Sequence, residues 1–281
     1  MAETAGSPIS EPKRRIAVLI DADNSPAAKI DLILTEVASF GEANVRRAYG
    51  NWKSSEMQGW EAVLHEYAIQ PIQQFAYSKG KNASDMAIVV DAMDLFHTGS
   101  LDGFALISSD ADFTPLVMRL RAGGLKVYGF GQDKTPLAFV NACSQFIYID
   151  ALDDTDDDDG TRPDARQDPA TLRQDTRLVR MLRAAIEASR GDEEWANLSA
   201  VGSQVANQAS FDPRNYGYPK LSDLIEAIGL FELKRVDKAV LVRSIPTRSH
   251  KKAQTSKKYP HPPIRRWFPP IRRSFPPIRQ V

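Results

Sequence analysis

At 281 residues, with 36 Lys/Arg against 36 Asp/Glu and 42% hydrophobic side chains, the chain has the size for one α/β domain plus a smaller one and is not a disordered polymer. The single cysteine, Cys143, excludes an intrachain disulfide, a CxxC redox pair and a cysteine-based zinc site, and the four histidines show no HExxH-type spacing. Charge is segregated: residues 1–149 carry 13 basic and 17 acidic side chains, residues 150–168 two and nine, residues 169–246 eleven and ten, and residues 247–281 ten basic and none acidic.

These blocks divide the chain into an expected domain at 13–150, an acidic linker at 151–168, a second domain at 169–246 and a basic tail at 247–281. Residues 1–12 hold no apolar leader, and no apolar run approaches the ~18 residues of a membrane helix, so a cytoplasmic protein without a membrane partner is expected.

In the first domain, short apolar runs at 15–21, 44–49, 69–75, 104–108, 126–130 and 145–149 predict strands. Helical spacing fills the intervals near 27–40, 55–67, 84–97, 113–122 and 136–142. Strand–helix alternation with nearly all-apolar strands predicts an α/β fold, a parallel sheet with helices on both faces. Gly123-Gly124 marks a helix stop before the fifth strand. The like-charge run DDTDDDDG at 153–160 is expected to stay unfolded. Beyond it, helices near 170–189, 196–206 and 219–228 precede two strands at 231–235 and 239–243, the order of a winged helix. The tail repeats Pro-Pro-Ile-Arg at a seven-residue period from Pro262, Pro269 and Pro276, which favours polyproline II over a packed fold.

In a parallel sheet the ligand site lies outside the carboxyl ends of the strands, and acids gather there. Asp21 and Asp23 end the first strand, Asp110 and Asp112 follow the fourth, and Asp85 opens the third helix. Taken singly, Asp110 or Asp112 also suits a cap for the helix near 113, and Asp85 a helix N-terminus after Ser84 as N-cap. An apolar strand ending in Asp21-Ala22-Asp23 has no such capping need. Carboxylates from several strand ends repel one another and raise one another's pKa unless a cation balances them. With no cysteine or histidine set available, that cation is a hard one, Mg²⁺ or Mn²⁺.

Val18-Leu19-Ile20-Asp21-Ala22-Asp23-Asn24, Lys81-Asn82-Ala83-Ser84-Asp85-Met86 running to Asp91, and Ser108-Ser109-Asp110-Ala111-Asp112-Phe113 together resemble the three motifs of NYN domains, relatives of PIN-type nucleases. The resemblance implies a Mg²⁺- or Mn²⁺-dependent ribonuclease. It carries over Asp21, Asp85, Asp110 and Asp112 as metal-holding and catalytic acids, with Asn24 as their polar companion. Asp23 and Asp91 are carried over as supporting acids. Tyr216-Gly217-Tyr218-Pro219-Lys220-Leu221-Ser222-Asp223-Leu224-Ile225 and the following Ile228-Gly229-Leu230-Phe231-Glu232-Leu233 resemble the OST-HTH, or LOTUS, domain. That resemblance implies a winged-helix module for RNA or a protein partner, and leaves a homo-oligomer open.

Candidate RNA contacts are Arg46, Arg47, Trp52, Lys53 and Lys81 in the first domain and Arg214, Lys220, Lys234 and Arg235 in the second. Trp52, with Trp60, equally suits packing of the second helix, and Tyr218, Leu221, Leu224, Ile225 and Ile228 have core spacing. Two rivals stand beside the nuclease reading. One is a non-catalytic RNA-binding adaptor on the same fold. The other is a haloacid-dehalogenase-like phosphatase, which Asp21-Ala22-Asp23 imitates, although Asn24-Ser25-Pro26 departs from that family's pattern.

The tail, with ten Lys/Arg among Trp267, Phe268 and Phe275, suits salt-sensitive attraction to RNA, which releases counterions on binding. Deleting residues 247–281 is expected to weaken RNA binding and flatten its salt dependence, measured by filter binding across a salt series. Equal salt slopes for truncated and full-length protein would remove the tail from RNA capture.

Overall fold

The computed structural model describes residues 13–73, 83–152, 166–191, 193–208, 210–236 and 239–245. The expected acidic run at 153–160, the tail and Lys81 lie outside the described residues.

The first domain alternates strand and helix through β1 (Arg15–Asp21), α1 (Ile30–Phe40), β2 (Glu42–Gly50), α2 (Trp60–Glu66), β3 (Gln70–Gln73), α3 (Ala83–His97), β4 (Gly103–Ile107), α4 (Thr114–Ala122), β5 (Lys126–Gly131), α5 (Leu137–Ala142) and β6 (Gln145–Tyr148). The strands form one six-stranded sheet in the order β3-β2-β1-β4-β5-β6, parallel at every pairing. The chain winds outward from β1 to β3, crosses back to β4, and winds outward again to β6. Between β1 and β4 the winding reverses, which opens a crevice at their carboxyl ends.

The apolar run of β1 serves two cores at once. Ile16, Val18 and Ile20 face a layer with Ile30, Ile33, Val37 and Trp60 of α1 and α2. Ala17 and Leu19 face the opposite layer, with Ile88 of α3, Val117 and Leu120 of α4, and Phe139 of α5. Alternate residues on a strand point to opposite faces, so a strand covered on both sides has no polar position until it ends. It ends at Asp21. Gly124, at φ 89°, supplies the left-handed turn by which the chain leaves α4 for β5.

In the second domain the expected first helix is two: α6 (Pro169–Gln174) and α7 (Thr176–Arg190). The break falls at Asp175, whose carboxylate accepts from Leu178 N at 2.9 Å and caps α7, a start signal that the periodicity overrides in sequence. The next expected helix begins late, because Ala196–Asn197 form a short strand, β7, ahead of α8 (Leu198–Gln208). After α9 (Leu221–Ile228), β8 (Phe231–Val236) and β9 (Ala239–Ser244) form the hairpin, and β7 adds to β9 as a third strand in the order β7-β9-β8. Leu178, Leu182 and Ile186 of α7 pack with Val201, Val205, Leu224, Ile225 and Ile228 in a separate core.

The two domains meet along β6, the edge of the large sheet. Asn215 donates from Nδ2 to the Phe146 carbonyl at 2.9 Å and accepts from the Tyr148 amide at 3.2 Å, so one side-chain amide pairs with the open strand as a neighbouring strand would. Beside it the Arg214 guanidinium donates to both oxygens of Glu36 on α1, each at 2.7 Å, and to the buried Asp212 at 2.8 and 3.0 Å. Asp212 also accepts from Gln145 Nε2 on β6 at 3.0 Å.

Replacing Arg214 with Met leaves Asp212 buried beside Glu36 with no guanidinium to balance them, and loss of one partner from such a pair costs about 3 kcal/mol. In denaturant unfolding Arg214→Met is expected to lower the midpoint and to separate the two domains into two transitions. A single transition with an unchanged midpoint would sink this view of the clamp.

Candidate active site at the carboxyl ends of the central strands

Asp21 is the last residue of β1 and is fully buried. An ionised carboxylate is tolerated there because hydrogen bonds replace water. Asn24 Nδ2 donates to both of its oxygens, at 3.2 and 3.0 Å, and Ser108 Oγ donates to Oδ2 at 2.9 Å. The tight turn after β1 brings Asn24 back over Asp21, and its amide bonds the Asp21 carbonyl at 3.3 Å. Burial raises the pKa of Asp21, the Asn24 and Ser108 hydrogen bonds pull against that rise, and the charge of Asp23 adds to it.

From Ser108 the contacts run into the next two acids. Ser108 Oγ accepts from Asp110 N at 3.1 Å, and Asp110 Oδ1 accepts from Asp112 N at 2.8 Å. Asp110 therefore does cap the 3₁₀ turn Ala111–Phe113 that leads into α4. Capping uses one oxygen and leaves the other, so the two readings of Asp110 are compatible.

Asp85 comes from the first turn of α3. Ser84 is not its N-cap: it lies inside the helix, and its hydroxyl donates to Asp23 Oδ2 at 2.6 Å. Asp23 Oδ1 accepts from Asn51 N at 3.1 Å, so Asp23 ties the ends of β1, β2 and α3 together. The carboxyl of Asp85 is pushed up to about 6, first by burial and then by the charges of Asp21, Asp110, Asp112 and Asp23. Acids separated by up to 91 positions thus act on one another at the crevice between β1 and β4. Among the described residues no three His, Cys, Asp or Glu side chains form a ready-made metal cage.

Asp91 stands apart from this group. It accepts from Arg47 and from Tyr49 of β2, and so fastens the middle of α3 to the sheet. Of the candidate RNA contacts, Arg47 is engaged in that pair, and Arg46 donates to the Tyr67 carbonyl at 2.8 Å. The indole of Trp52 donates to the Ile72 carbonyl at 3.0 Å and meets Trp60 edge-on, ring centres 6.3 Å apart. Arg214 belongs to the domain clamp, while Lys53, Lys220, Lys234 and Arg235 are exposed. The sequence offers Ser84 only as a helix cap and gives no role to Ser108 or Asn51, although Ser108 and Ser84 sit inside the acidic motifs. That adjacency to Asp110 and Asp85 is the local signal for both serines.

The family model of the NYN domain matches residues 15–150, and that of the OST-HTH/LOTUS domain matches residues 173–243. An uncharacterized protein of Methanocaldococcus jannaschii is 28% identical over 125 residues, which cover 43% of this chain and 49% of that protein. The chain thus spans about half the length of the curated relative it matches. A crystal structure of a protein of unknown function from Vibrio parahaemolyticus is similar at a TM-score of 0.44 and 19% identity, over 51% of this chain and 97% of that one.

The crowding at Asp85 has a pH signature. Its folded pKa, about 6, lies above the ordinary 3.8, so the charged form opposes folding and that cost fades as pH falls through 6. In chelator, Asp85→Asn is expected to melt higher than wild type at neutral pH, with the gain shrinking below pH 6 and gone by about 4. Melting curves across a pH series check this, and a gain independent of pH would argue that the acids do not crowd Asp85.

Proposed function

Because residues 15–150 form an NYN domain and residues 173–243 an OST-HTH/LOTUS domain, we propose that the chain is a divalent-metal-dependent ribonuclease that hydrolyses RNA phosphodiester bonds, with the second domain as an RNA- or partner-binding module. The observation that carries this reading is the gathering of Asp21, Asp23, Asp85, Asp110 and Asp112 at the point where the sheet reverses its winding, where burial first and then the other four carboxyls push the carboxyl of Asp85 up.

Asp21, Asp85, Asp110 and Asp112 are the residues that would hold the metal. The donor set fits Mg²⁺ or Mn²⁺: it is all carboxylate oxygen, the one cysteine is buried elsewhere in the core, and crowded anions are what a hard cation relieves. Such an ion supplies a water of lowered pKa and offsets the charge that develops on a phosphodiester. Asn24 and Ser108 fix the carboxylate of Asp21 before anything binds, which lowers the reorganisation needed at the site. Asp23 holds the start of α3 through Ser84, so it positions Asp85. The phosphatase reading fares worse, since it asks Asp23 to act as a proton donor while both its oxygens accept hydrogen bonds from Asn51 and Ser84.

Asp110→Asn keeps the capping oxygen for Asp112 N and removes one charge, so the fold is expected to survive. Cleavage of labelled RNA with Mg²⁺ or Mn²⁺ is expected to fall at least about a hundredfold in that variant, as for loss of a metal-holding charge, and to vanish for wild type in chelator. Wild-type rates in Asp110→Asn would remove Asp110 from the site, and RNA binding without cleavage by wild type under any metal would favour the adaptor.

A further inference from the structure

A cavity of about 530 Å³ opens beside the acidic crevice, between α2 and the edge strand β3. Its size lies within the ~300–1,000 Å³ of small-ligand sites. Trp52, Met57, Leu64 and Pro71 give it apolar walls, and Gln58, Glu61 and His65 supply polar groups. Among the described residues its lining holds no Lys or Arg, and Glu61 brings a carboxylate, so the described walls favour a neutral group over a phosphate. Apolar walls with a few polar groups suit a neutral, flat group with a hydrogen-bonding edge.

The cavity and the acidic crevice share a wall. A side-chain carbon added at Gly50 would lie 3.1 Å from Asp23 Oδ1 and 3.5 Å from Met57 Cε, so only a glycine separates the acid from the cavity lining. A hydrogen-bond chain follows the same path: Asn51 N donates to Asp23, Gln73 Nε2 to Asn51 at 3.2 Å, and Trp52 N to Gln73 Oε1 at 3.0 Å. Trp52 is held in place by its indole bond to Ile72 and by the edge of Trp60. A ring held in this way loses little freedom when a ligand stacks on it. Ala68, at φ 51°, turns the chain from α2 into β3 and lines the cavity, where a larger residue would both strain the turn and fill the space.

We infer that this cavity receives one unpaired nucleobase of the RNA strand, next to the nucleotide whose phosphate lies at the acidic crevice. The inference rests on the ribonuclease reading for the identity of the strand, and it makes the substrate single-stranded at that position, since a base within a duplex is not free to leave its stack. Stacking on an aromatic face is tolerant of base identity, and Gln58, Glu61 and His65 are the groups positioned to read an edge.

The test uses the full chain and two variants, Trp52→Leu, which removes the stacking face, and the double variant Gln58→Ala/Glu61→Ala, which removes two of the edge groups, each checked for a wild-type melting temperature. Isothermal titration with the four nucleoside 5′-monophosphates and with ribose 5-phosphate asks whether the base is what binds. The expected result is binding of the monophosphates, none of the base-free sugar phosphate, and at least about tenfold weaker binding in both variants, the scale of one lost stacking contact. On single-stranded RNA the variants should raise KM by a similar factor and keep kcat. Equal binding of ribose 5-phosphate, or wild-type KM and wild-type monophosphate affinity in both variants, overturns the inference while leaving a working nuclease. If wild type cleaves no RNA, the ribonuclease reading fails by itself and the monophosphate titration still decides the cavity.

Discussion

Asp21 carries a carboxylate out of reach of solvent, at the end of a strand whose other residues have no use for charge. Burying an ion of this kind is costly unless hydrogen bonds replace its water, and here Asn24 and Ser108 offset part of that cost. The site follows from that constraint. Ser108 faces Asp21 because β1 and β4 are neighbours, and the same hydroxyl accepts from the amide of Asp110. The acid of one strand thereby sets the backbone that presents the acids of the next.

The third helix is fastened at two levels. Asp91 bonds Arg47 and Tyr49 on β2, and Ser84, nearly two turns earlier, bonds Asp23 at the end of β1. Between them sits Asp85, held where four other carboxyls act upon it. Mutual repulsion would push a loosely attached helix away from the crevice, and the two fastenings resist that. Burial first, and then the four neighbouring charges, hold the carboxyl of Asp85 above its ordinary range.

The second domain is attached through contacts of a different kind. Asn215 pairs with the Phe146 carbonyl and the Tyr148 amide on the open side of β6, and Arg214 joins Glu36 to Asp212. An open sheet edge is a liability, and a side-chain amide covers it without adding a strand. The consequence for function is that the OST-HTH/LOTUS domain is docked on the sheet edge farthest from β3, and so on the far side from the cavity by Trp52.

Much was legible in the residues alone. Uninterrupted apolar runs between helical segments can be buried only in a parallel sheet covered twice, and an Asp closing such a run marks the crevice end. The three acidic motifs point to a site, although Asp85, Asp110 and Asp112 taken singly also suit helix ends. Only the tertiary structure decided the rest, because it depends on which groups meet across long separations. Arg214 and Glu36 are 178 positions apart, and nothing local distinguishes an arginine bound for an ion pair from one facing RNA. The same holds for Arg47 with Asp91. Asp175 interrupts an otherwise continuous helical pattern, and Ala196–Asn197 become a strand because β9 offers them a partner. Local propensity sets which elements a segment can form, whereas pairing between distant segments selects among them.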